Sequence, residues 1–168
     1  MAGGVLVFVE QRDGKVHPAS LQMFTAARAL AEGGAVHAVA IGQDVGAAGE
    51  AAAKHGAAQV YVADDAELGP YRALPYARAL CAAIEQDQPA LVLMATTSLS
   101  RDLAPRVAAR LKAALATDCL EVARADGAVR VQRPMYAAKC VGEFTLAGDR
   151  SRAMKVQLDF KTPTQNEA

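Results

Sequence analysis

The sequence predicts an α/β fold: a doubly wound parallel sheet with helices on both faces, followed by antiparallel β-hairpins. Three observations predict it. Short apolar runs alternate with longer segments whose apolar residues recur at helical spacing, from Val5 to about Leu111. The runs are apolar at consecutive positions, as strands covered on both faces are. After about Thr117 the pattern changes to short strands around turn residues.

The first run is Val5-Leu6-Val7-Phe8-Val9, and Gln11-Arg12-Asp13-Gly14 marks a turn after it. Pro18 and Ser20 open a helix with Leu21, Phe24, Ala27, Leu30 and Ala31 on one face, and Gly33-Gly34 ends it. Val36 to Ile41 is the second strand, closed by Gly42. A weaker helix covers Gly46 to His55, stopped by Gly56. Gln59 to Ala63 is the third strand, closed by Asp64-Asp65, adjacent residues whose side chains diverge at a turn. Tyr71 to Gln86 forms a long helix with Leu74, Ala77, Leu80, Cys81 and Ile84 on one face. Ala90 to Ala95 is the fourth strand and the most apolar, so it is central and buried. Thr96-Thr97-Ser98 leads into a helix carrying Leu103, Val107 and Leu111. Cys119 to Arg124 and Val129 to Arg133 are strands around Ala125-Asp126-Gly127, a hairpin turn. Val141 to Leu146 and Met154 to Leu158 read as two more strands, joined by Ala147-Gly148-Asp149-Arg150. Residues 1–160 make one domain, and residues 161–168 are a polar linker or frayed tail.

Composition narrows the function classes. A chain of 168 residues buries a sizeable core without staples. Trp is absent and aromatics are only 5% of residues, so the core is built from small aliphatics. The 18 basic and 18 acidic residues balance, which argues against a nucleic-acid binder. Cys81, Cys119 and Cys140 lie too far apart for a zinc or redox motif, and their odd number argues against a disulfide framework. They read as idle thiols in a reducing compartment. His17, His37 and His55 are isolated from one another. The first apolar run is too short for a signal peptide or membrane span, so the expectation is a cytoplasmic protein with no membrane insertion.

The common nucleotide motifs are absent. No GxGxxG follows the first strand, and no GxxxxGK[ST] occurs. Gly42, Gly46 and Gly49 form a loose series that strand exit and loop flexibility explain. No GxSxG elbow occurs, and Tyr136 and Lys139 sit in the β-rich segment rather than on a helix. The informative stretch is Ala95 to Arg106, where a strand end meets a helix start. Free N–H groups and the positive end of a helix could bind an anion there, with Ser98, Ser100 and Arg101 as further donors. The structural reading of the same residues is that Ser98 or Ser100 caps the helix and Asp102 pairs with Arg106 one turn on.

Thr97 to Leu111, followed by Thr117-Asp118, resembles the TSxGRDLAPRxAARL…TD signature of electron transfer flavoprotein α subunits. Val9-Glu10-Gln11-Arg12-Asp13-Gly14-Lys15 resembles the family's AExRxGK. Ala57 to Asp65 resembles its GADKVxVADD, and Arg133 to Lys139 its RPxYAGKA. The likeness runs from the first strand to about Leu158. Ser100 and Ala138 stand where the family has Gly. The resemblance implies a Rossmann-like, adenine nucleotide hydrolase-like amino-terminal domain. It implies a non-enzymatic scaffold of a heterodimer in which α and β subunits hold FAD. Such a carrier takes electrons from acyl-CoA dehydrogenases, as in fatty acid β-oxidation, and passes them to a quinone reductase. The family's second, FAD-binding domain is not expected in these residues, so FAD is not expected on this chain alone. In the β partner the equivalent fold binds AMP. A homo-oligomer is expected when the chain is alone. The other reading is a free-standing adenine-nucleotide-binding domain of the universal-stress type, using Ser98, Ser100 and Arg101.

Overall fold

The computed structural model describes residues 4–146 and the strand backbone of Met154–Leu158. Strand β1 (Val5–Val9) is buried along its whole length. A small hairpin follows where the sequence marks a turn: β2 (Gln11–Arg12) pairs with β3 (Lys15–Val16). Its two central residues, Asp13 and Gly14, take φ of 52° and 71°, the left-handed pair that a tight hairpin needs. Helix α1 (Pro18–Ala31) begins with a proline, whose missing N–H is no loss in a first turn, and the His17 ring accepts from the Ala19 N–H. Then come β4 (Val36–Gly42), α2 (Gly46–Lys54), β5 (Gln59–Asp64), a single 3-10 turn at Ala66–Leu68, α3 (Ala73–Asp87), β6 (Leu91–Ala95) and α4 (Ser98–Leu111). These agree closely with the elements read from periodicity.

The remaining strands are β7 (Leu115–Cys119), β8 (Glu121–Ala125), β9 (Ala128–Met135), β10 (Cys140–Leu146) and β11 (Met154–Leu158). The main sheet has six parallel strands in the order β5-β4-β1-β6-β11-β7. A second sheet is the antiparallel meander β8-β9-β10. The α/β class holds, and the Asp126-Gly127 turn joins β8 to β9 with φ of 55° and 74°.

Two expectations change in this half. The single strand read at Cys119 to Arg124 is two elements, because the chain turns from the parallel sheet into the meander at Leu120. Met154–Leu158 does not extend the meander. It lies between β6 and β7, parallel to both. Periodicity reports that a segment is extended, and nothing in a five-residue pattern names its neighbours.

The sheet separates two apolar layers. Val5, Val7 and Val9 of β1, with Leu91 and Leu93 of β6, pack with α1 and α2 and with Val129 and Val131 of the meander. Leu6, Phe8, Val92 and Met94 pack on the other side with α3 and α4. The predicted face of α3 is shifted at its start: Leu74 is 55% exposed, and Tyr76 is buried instead. The Tyr76 hydroxyl donates to the Leu68 carbonyl at 3.0 Å, which lets a polar tip enter the core.

The histidines are not all isolated in space. The Asp87 side chain, 2% exposed at the last residue of α3, meets His37 Nδ1 at 2.5 Å. The Tyr61 hydroxyl donates to the same carboxylate oxygen at 2.9 Å. A buried carboxylate at the negative end of a helix needs such partners. Together they pin the end of α3 to β4 and β5. Burial first, then the hydrogen bond to Asp87, pushes the Tyr61 phenol above its ordinary pKa.

Val92 is fully buried between β1 and β11 in the sheet. Val92→Asp places an unpaired charge there and is expected to cost about 3 kcal/mol or more, roughly 10 °C of Tm. A thermal melt of the variant matching the parent contradicts the assignment of β6 as a doubly covered strand.

Candidate functional site

The order of connections reverses between β1 and β6. In α/β sheets the crevice at the carboxyl ends of such a strand pair is where ligands bind. Here β1 delivers Glu10 to that crevice, and β6 delivers Thr96 and Thr97 followed by the start of α4.

Thr97 is the N-cap of α4. Its Oγ1 accepts from the Ser100 N–H at 3.1 Å, and its hydroxyl donates to Glu10 Oε2 at 2.5 Å. One hydroxyl therefore satisfies an orphan donor of the helix and holds a carboxylate from the neighbouring strand. The Glu10 backbone is fixed as well: its N–H donates to Ser20 Oγ, and its carbonyl accepts from the His17 N–H.

The candidate residues read from sequence are distributed differently. Ser98 is exposed at the first helical position and does not supply the cap. Ser100 is fully buried on the sheet side of α4 with Leu103, Ala104 and Val107. Its Oγ has no hydrogen-bond partner, and neither does the buried Thr96 Oγ1. Arg101 donates to Asp118 Oδ1 at 2.7 Å, on a side chain 61% exposed. The cap expected at Ser98 or Ser100 is thus Thr97, one residue earlier, because the extended φ and ψ of an N-cap fall there.

Asp118 reaches Arg101 because β7 is irregular beside β11 and Asp118 takes φ of 54°. Asp102 pairs with Arg106 one turn on, as read from the sequence: Nε and an Nη both donate to Asp102 Oδ1, at 3.1 and 2.9 Å. The Tyr71 hydroxyl donates to the other oxygen at 2.7 Å. Arg106 first and Tyr71 second hold the Asp102 carboxyl below its ordinary pKa, while burial and then Asp102 raise the Tyr71 phenol.

The adjacent acids end β5 in separate turns. Asp64 accepts from the Asp44 and Val45 N–H groups at the start of α2, and Asp65 accepts from the Glu67 N–H. Among the described residues, no group of His, Cys, Asp and Glu could hold a metal ion, and no helix is long and apolar enough to cross a membrane. Cys81 and Cys119 are buried, and burial pushes the Cys119 thiol up to about 11, out of the range of a reactive thiolate.

Flavin dinucleotide chemistry needs a pyrophosphate cradle, and the turn after β1 and the starts of α1 and α4 do not fit one. A hairpin, not a glycine turn, follows β1, and α1 starts on a proline without an N–H. The start of α4 faces the Glu10 carboxylate.

A second surface exposes apolar side chains around a groove. The meander and β7 line a groove of about 530 Å³ with Leu115, Val131, Arg133, Met135, Phe144 and Leu146. Tyr136, which also lines it, and Phe144 are 75% and 40% exposed, and Val141 of β10 is 55% exposed. The turn from β9 to β10 holds Tyr136, Ala137 and Ala138 at φ of 51°, 55° and 64°. Three consecutive non-glycine residues in the left-handed region cost roughly 1–2 kcal/mol each.

Residues 5–151 match the model of the electron transfer flavoprotein domain. The chain is 33% identical over 165 residues to the electron transfer flavoprotein subunit alpha of Megasphaera elsdenii, covering 95% of this chain and 49% of that protein. It is 36% identical over 146 residues to the corresponding subunit of Syntrophomonas wolfei, covering 87% and 45%. It is 38% identical over 138 residues to Protein FixB of Azorhizobium caulinodans, covering 79% and 37%. The chain thus spans about half the length of the curated relatives it matches, or less.

Thr97→Ala removes a cap and strands the Glu10 carboxylate, so urea unfolding should register a loss of about 1–2 kcal/mol. Ser98→Ala should stay within about 0.5 kcal/mol of the parent. The reverse ranking contradicts the capping assignment.

Proposed function

The chain belongs to the electron transfer flavoprotein family, and from that premise we propose that it is the amino-terminal scaffold domain of an α subunit, docking a β subunit through its meander. Relatives of this family are electron carriers, and an electron transfer flavoprotein-family function is the frame for the chain. The observation that carries the reading is the match of residues 5–151 to that domain, in a chain aligning with about half of each α-subunit relative.

In this reading FAD is bound by the assembled αβ protein outside these residues. AMP, where present, sits in the equivalent fold of the β subunit. The carrier accepts electrons from acyl-CoA dehydrogenases or similar flavoenzymes and delivers them to a quinone reductase. The scaffold's own part is not enzymatic. It offers a rigid sheet and an apolar face.

Physical support for the docking face comes from the meander. Exposed Tyr136 and Phe144, which line the groove, form the kind of surface that a partner covers. The left-handed turn holds Tyr136 at the rim, and strain of this kind persists only where surrounding structure enforces it. Without a partner, the same face is expected to favour concentration-dependent self-association.

Co-expression with the β subunit of an electron transfer flavoprotein tests the reading. A complex should co-purify, and the double variant Tyr136→Asp, Phe144→Asp should weaken it at least about tenfold while the chain stays folded. The purified chain alone should be colourless. No complex with the β subunit, or stoichiometric FAD on the isolated chain, contradicts the reading.

A further inference from the structure

The crevice between the ends of β1 and β6 has the parts of an anion site. It lies where the strand order reverses, and the positive end of the fourteen-residue α4 opens onto it. Two buried hydroxyls flank the helix start without partners. Thr96 Oγ1 lies between the strand end and the cap, and Ser100 Oγ lies in the first turn on the fully buried, sheet-facing side. Buried polar atoms are ordinarily paired, so the orphan Thr96 Oγ1 beside the cap marks a place that can receive a polar group, while Ser100 Oγ faces the sheet.

What the crevice receives from the chain itself is a carboxylate. Glu10 Oε2 lies 2.5 Å from Thr97 Oγ1, within the same residue that caps α4. The cation nearest in sequence, Arg101, is turned to Asp118 at the end of β7. We propose that Glu10 is a gate: its carboxylate occupies the anion position at the start of α4 and closes this crevice to phosphate-bearing ligands. The inference rests on the scaffold reading above and accounts for how this sheet serves as a scaffold instead of a nucleotide site.

Electrostatics supplies the exclusion. A phosphate at the helix start would lie within a few ångströms of the Glu10 charge, and like charges at that separation near a protein surface cost roughly two orders of magnitude in affinity or more. The backbone that carries Glu10 is pinned to the start of α1. Its N–H is bound to the fully buried Ser20, and its carbonyl accepts from His17. Removing the charge frees the Thr97 hydroxyl to donate to a ligand and leaves the helix end without an anion.

The test is a thermal-shift titration of the 168-residue chain with inorganic phosphate in one arm and AMP in another, sodium chloride matching ionic strength. The parent should show no saturable shift with either probe. Glu10→Ala and Glu10→Gln should each gain a saturable rise in Tm of a few degrees. Gln retains the size of the side chain, so it carries the test if the Ala variant does not fold. Equal responses to phosphate and AMP identify free phosphate chemistry; saturation at lower AMP identifies a nucleoside phosphate. Asp102→Asn, which removes a negative charge one turn away, should gain nothing. A saturable response of the parent overturns the gate, as does a folded Glu10→Gln that responds to neither probe. Co-purification of the same variants with the β subunit reads the scaffold role separately, so the two ideas fail by different results.

Discussion

The hydrogen bond from Thr97 to Glu10, 2.5 Å long, closes the seam on which the rest of the domain is arranged. Strands β1 and β6 lie side by side and parallel, buried on both faces, and each is covered by helices that the chain adds in opposite directions along the sheet. Their carboxyl ends therefore meet where polar groups have no sheet neighbour. In many α/β proteins a ligand fills that position. Here the side chain after β1 and the cap of α4 satisfy one another. The contact turns a place suited to binding into a joint between two halves of the sheet.

That arrangement moves the work of the domain to its other surfaces. The first turns of α4 carry Arg101, tied to Asp118 on β7, and Asp102, which holds Arg106 one turn on and Tyr71. The Arg101 pair is solvent-exposed and adds little stability. The meander packs one side on the α1 layer through Val129 and Val131. Its Tyr136 and Phe144 stay exposed, the face that the proposed docking uses. Under the proposed reading, a sheet whose crevice is closed by Glu10 and whose flank is apolar serves as a scaffold.

Much of the fold was legible because a doubly covered strand is apolar at consecutive positions and a covering helix repeats near every fourth residue. Val5–Val9, Leu91–Ala95 and the α1 face at Phe24, Ala27, Leu30 and Ala31 follow directly from that rule. Leu74 fails it because the polar tip of Tyr76 finds the Leu68 carbonyl and enters the core in its place. Met154–Leu158 was legible as a strand and not as a parallel one, since its partners β6 and β7 lie far from it in sequence. The site was half legible. Ala95 to Arg106 marks the helix start, but Thr97 as cap depends on one residue of backbone geometry. Glu10 and Thr97 lie 87 positions apart, and no spacing announces their contact. The Val9-Glu10 and Thr97-Ser98 stretches did offer a signal, each directly following a strand that was read as buried. The His37–Asp87–Tyr61 cluster had none, because three elements distant in sequence bring it together.

A double-mutant cycle across the seam measures the Glu10–Thr97 contact itself. Glu10→Ala, Thr97→Ala and the pair are compared with the parent by urea unfolding at one pH and salt concentration. The account predicts a coupling energy of about 1–3 kcal/mol, the range of a hydrogen bond to a charged group. A coupling indistinguishable from zero, with both single variants folded, contradicts it.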